Sequence, residues 1–92
     1  MTRDWAETVG LQALAHLAGH EELIGAFLSQ TGADLAGLRA GARDPAFLGA
    51  VLDFLLQDDA WVIGFAEAAG LRPTDPAAAR AQLPGGQQTH WT

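Results

Sequence analysis

The 92-residue chain has no cysteine and no lysine, and its longest apolar stretches are broken by acids well short of a membrane span. Without cysteine, neither a disulfide framework nor a cysteine-ligated zinc site can hold a domain this small together. The fold must therefore come from a hydrophobic core alone, near the lower size limit at which one core suffices. Asp53, Asp58 and Asp59 interrupt the most hydrophobic region, which falls short of the ~20 apolar residues a spanning helix needs. The start, Met1-Thr2-Arg3-Asp4-Trp5, lacks the basic opening and apolar run of a secretory signal, so the expected location is cytoplasmic. Positive charge is scarce. Five arginines against eleven acids give a net charge of −6, which argues against a surface built for nucleic-acid phosphates or anionic lipid. With so much alanine and glycine present, the exclusive use of arginine reads first as a compositional bias of the source genome.

What is present is helical periodicity. A hydrophobic fraction of 49% suits a globular chain, and no strand-like alternation, internal repeat or second domain is visible. The expected fold is a single all-α bundle of five or six helices occupying residues 1–84, with a tail over 85–92. Its centre is the stretch from Asp44 to Gln57. Asp44 can cap and Pro45 suits the first helical position. Phe47, Val51, Phe54 and Leu55 form one stripe that Leu48, Leu52 and Leu56 widen, leaving Ala46, Gly49, Ala50, Asp53 and Gln57 as a narrow outer ridge.

The other helices are expected to wrap this one. Asp4 to Glu7 has capping-box spacing, so a first helix should run from there to about Ala18, with Val9, Gly10, Ala13, Leu14 and Leu17 inward and Trp5, Gln12 and His16 on a flank. His20-Glu21-Glu22 opens a second, with Leu23, Ile24, Phe27 and Leu28 inward and an end at Thr31-Gly32; the tight connection predicts a hairpin with the first. Asp34 to Ala40 reads as a short third helix presenting Leu35 and Leu38. Asp58-Asp59 restarts the chain as a fifth, Ala60 to Ala69, with Trp61, Val62, Phe65 and Ala69 inward and Gly70 as its stop. Thr74-Asp75-Pro76 begins an alanine-rich last helix, Ala77 to Gln82, in a closing role. Helices 1, 2 and 5 are expected around the core helix.

The combination Thr31-Gly32, Leu38-Arg39, Asp44-Pro45 with Phe47-Leu48, Val51 to Leu56 and Asp58 resembles a family of small bacterial proteins catalogued as a domain of unknown function. The ending Leu83-Pro84-Gly85-Gly86 with His90-Trp91-Thr92 is similar to the tail of some members. The resemblance implies an all-helical fold and a bacterial cytoplasmic origin; it brings no activity, cofactor or partner.

Candidate chemistry is sparse. His16 and His20 are four apart, as two metal ligands on one helix would be, but Gly19 interrupts between them and no Glu follows His16 directly. Asp53, Asp58 and Asp59 could form a carboxylate pair, yet capping and a solvated ridge account for them. Phe27 to Arg39 has the outline of a helix-turn-helix with few basic side chains around it, so DNA binding stands as the third expectation. No nucleophile with a base, phosphate loop or ligand set is present, so neither catalysis nor a cofactor is expected. The remaining features are apolar: Trp5, Leu11 and Ile63 fall at the edge of the core or beyond it, and His90-Trp91 follows a Pro-Gly-Gly segment that lets the indole fold back onto the domain, the first expectation, or anchor in a partner. Trp91, His90 and Trp5 are thus the candidate partner-binding residues, and the expected role is a protein-protein interaction or self-assembly module. The competing expectation is a small-ligand pocket between helices with polar groups from Gln12, His16 or Asp53.

Overall fold

A computed structural model describes residues 2–84, and these form six helices with no strand among them: α1 (Arg3–Ala18), α2 (Glu21–Thr31), α3 (Leu35–Gly41), α4 (Pro45–Leu55), α5 (Asp59–Ala69) and α6 (Asp75–Ala81). Most boundaries are set by local capping. The carboxylates of Asp34, Asp44 and Asp58 each accept a first-turn backbone N–H, at 2.8, 3.0 and 2.8 Å. Gly32 and Gly70 end α2 and α5 in the left-handed region, at φ 72° and 71°, where a side chain would be strained. The start of α1 differs from the capping-box expectation. Thr2 is the cap, its Oγ1 accepting from the Trp5 N–H at 3.1 Å, while Asp4 lies in the first turn and Glu7 pairs with Arg3 at 3.3 Å.

Packing revises the expected hierarchy. α4 is nearly buried, but it shares the centre with α1, which touches α2, α4, α5 and α6. α6, expected only to close the bundle, lies against α1, α4 and α5. It can do so because it is made of small residues: Ala79 is fully buried and Pro76 almost so, letting the backbone approach closely. The outer ridge expected on α4 is also breached, since Gly49 is buried. The Arg80 guanidinium lies over it, and a Cβ at Gly49 would stand 2.8 Å from Nη1. Arg80 donates from Nε to Asp53 at 2.6 Å and from Nη1 to the Leu83 and Pro84 carbonyls at 3.4 and 3.0 Å. One half-hidden cation thereby ties α4 to the end of α6.

α2 is anchored by rings. Phe27 is fully buried and meets Phe47 and Phe54 edge-on, at centroid distances of 5.7 and 5.5 Å. Trp61 of α5 stacks on Phe54 at 4.8 Å. Burying a phenylalanine contributes about 1.5–3 kcal/mol, and each aromatic pair about 0.5–1.5 kcal/mol more. On α3 the expectation fails for one residue: Leu38 is buried, but Leu35 is 70% exposed. A seven-residue helix lying on the surface has only one covered side. Among the described residues no helix is long and apolar enough to cross a membrane.

Candidate functional site

α1 makes the surface of most interest, because its sequence gives it two opposite faces. At 100° per residue, the buried Ala6, Val9, Gly10, Ala13 and Leu17 centre on one side, and Asp4, Leu11, Ala15 and Ala18 on the other. All four outer residues are exposed. Leu11, at 44% exposure, is the only large apolar side chain among them.

A groove runs along each side of this outer face, and Ala15 belongs to both. Toward α3, a nearly wholly apolar groove of about 300 Å³ is lined by Leu11, Leu14, Ala15 and Ala18 with Leu38, Arg39 and Ala42. Arg39 is its single charge. It is exposed and, like Arg43, makes no ion pair among the described residues, whereas Arg3, Arg72 and Arg80 do. Toward α5, a groove of about 440 Å³ is lined by Gln12, Ala15, His16, Phe65, Ala68 and Ala69. The His16 ring stands 5.4 Å from that of Phe65 and 4.3 Å from that of His20. Burial first, and then the neighbouring His20, hold the His16 imidazole below its ordinary value of 6.5. His20 Nδ1 lies 2.7 Å from the His16 carbonyl oxygen, which fixes its proton on Nδ1 as the donor.

Of the residues singled out from sequence, Trp5 is half-buried against the core, on the flank of α1 away from the α3 groove. His90 and Trp91 lie outside the described residues. Gln12, His16 and Phe65 share one groove, whereas Asp53 is engaged by Arg80 on another helix. Asp58 caps α5 and Asp59 sits in its first turn. Among the described residues no group of three or more His, Asp or Glu side chains is placed to hold a metal, and no buried side-chain nitrogen or oxygen lacks a hydrogen-bond partner. In the sequence Leu11 stands out as an edge residue and Arg39 only within the family motif and the helix-turn-helix outline, while Ala15 and Ala18 are not singled out as surface residues. The wheel of α1 carried the signal for the alanines; the arrival of α3 beside them did not follow from any local pattern.

A family described as a protein of unknown function (DUF3572) matches residues 3–86, and the chain belongs to that family. No curated protein and no solved structure matches the chain.

Proposed function

We propose that this member of a family of unknown function is a non-catalytic interaction module whose working surface is the outer face of α1 and the groove between α1 and α3. The observation that carries the reading is the juxtaposition of exposed Leu11 and unpaired Arg39 across one apolar groove. In a chain of net charge −6, a cation left without an acid beside bare apolar surface suits a partner helix that brings its own acid. Small residues at Ala15 and Ala18 let such a helix approach closely.

A photo-crosslinking residue placed at position 11 of the full chain in its own cells tests this. The expected result is a discrete adduct that is absent when the probe replaces Ser29, exposed on α2, and that is lost when Arg39→Glu reverses the groove's charge. Equal adducts at both positions, or an adduct indifferent to Arg39, overturn the reading.

The α5-side groove supports a second reading. It brings an amide, an imidazole and a phenyl ring together in a volume within the ~300–1,000 Å³ range of small-ligand sites. A fragment screen read by the His16 ring signals tests it; no fragment moving those signals ends it.

A further inference from the structure

The partner chemistry proposed for the α1 groove, a helix with an apolar contact residue and an acid of its own, is present on α1 itself. Glu7 stands four residues before Leu11 and Ala15 four after, each about 6 Å along the helix from it. Asp4 and Ala18 are the next pair, each seven residues away and about 10.5 Å along. The arrangement is symmetric about Leu11, with acids toward one end and alanines toward the other, and Arg39 lines the groove that Leu11 and both alanines share.

Edges match as well as levels. Glu7 lies on the Leu14 side of the outer face, which is the side α3 and Arg39 occupy. A two-fold axis perpendicular to a pair of antiparallel helices keeps each edge beside the same edge of the other copy. Turning a second α1 about such an axis at Leu11 therefore carries its Glu7 to the level of Ala15, on the edge of the groove that Arg39 lines. In the isolated chain Glu7 is held only by Arg3, at 3.3 Å, with side chains 55% and 36% exposed, so that pair offers little resistance to being shared.

We infer that the occupant of this face is a second copy of the same chain: two α1 helices meet antiparallel at Leu11, and Arg39 of each copy pairs with Glu7 of the other. This rests on the interaction reading given above and names its partner. The surface is small. α1 is about 24 Å long, and a stable interface needs roughly 800 Å² on each side, so the dimer is weak and forms reversibly with concentration.

Light scattering on the purified full chain up to about millimolar concentration tests the inference, with circular dichroism confirming that each variant stays helical. The weight-average mass is expected to rise toward two chains. Leu11→Arg should hold it at one chain. At 150 mM salt, where net-charge repulsion is screened, Arg39→Glu and Glu7→Arg should each weaken association about tenfold or more, and the two together should restore it to within about threefold, because the pair is then reversed rather than broken. A mass of one chain at every concentration overturns the dimer, as does a double variant no better than the singles. If the mass stays at one chain while the crosslink at position 11 still gives a discrete adduct dependent on Arg39, the partner is a different protein: the dimer falls and the interaction reading stands. If position 11 gives no such adduct, that reading falls too.

Discussion

Individual positions in this bundle respond in opposite ways to the same change, and the glycines show it most cleanly. Glycine inside a helix costs about 0.5–1 kcal/mol relative to alanine, so Gly→Ala gains that much where there is room. Gly64, in the middle of α5, has nothing within 4 Å of where a Cβ would stand. Gly41, in the last turn of α3, has the ring of Phe47 there. Gly64→Ala is therefore expected to raise stability by roughly 0.5–1 kcal/mol, and Gly41→Ala to lower it by about 1–3 kcal/mol through overpacking; denaturant melts of the two variants decide both. His16 supplies a pH test. Its imidazole titrates below the ordinary 6.5 when folded, because burial and then His20 disfavour the cation. The unfolded chain thus takes up that proton first as the pH falls, and stability should drop from about pH 6.5 downward through the folded value. His16→Asn should remove that part of the slope in melts between pH 7.5 and 5.5; an unchanged slope would show that His16 does not carry it.

Helix boundaries depend on the few groups at each end, which is why so many were legible in the chain. Asp34, Asp44 and Asp58 each satisfy a backbone N–H a few residues on, a bond that needs no knowledge of the rest of the fold. Asp58 and Asp59 separate capping from simple charge. Asp58→Ala loses the 2.8 Å bond to Ala60 N–H and should cost about 1 kcal/mol, whereas Asp59→Ala loses only a favourable dipole interaction worth a few tenths. Equal effects of the two in thermal melts would mean the cap is not the stabilising contact. Thr2 is masked in the sequence by Asp4 and Glu7, which offer a competing capping signal two residues later. The central place of α6 is hidden for a different reason. Large apolar residues announce a core helix, but a run of alanines contributes by letting backbones approach, and that depends on what faces it. The same blindness hid the burial of Gly49, which becomes visible only when Arg80 arrives from α6. The α1 groove was half legible: its outer face is periodic, while Arg39 reaches it only through the packing of α3.

At the scale of the whole molecule, net charge decides how association should respond to salt. Each chain carries −6, and the described residues span 29 × 27 × 25 Å, so two copies in contact have centres about 25 Å apart. In water that repulsion is on the order of 6 kcal/mol before screening. At 10 mM salt the screening length of about 30 Å leaves more than 2 kcal/mol of it; at 150 mM the length of about 8 Å leaves a few tenths. Two exposed Arg39–Glu7 pairs contribute roughly 0.2–1 kcal/mol each, and screening removes only part of that. Relief of the repulsion is the larger effect. A dimer of this chain should therefore strengthen as salt rises from 10 to 150 mM, by about 2 kcal/mol or roughly thirty-fold, although its specific contacts are ionic. Light scattering at the two salt concentrations measures this directly. Association that weakened instead would mean that short-range pairs outweigh the net charge, and would place more than one ion pair from each copy in the interface.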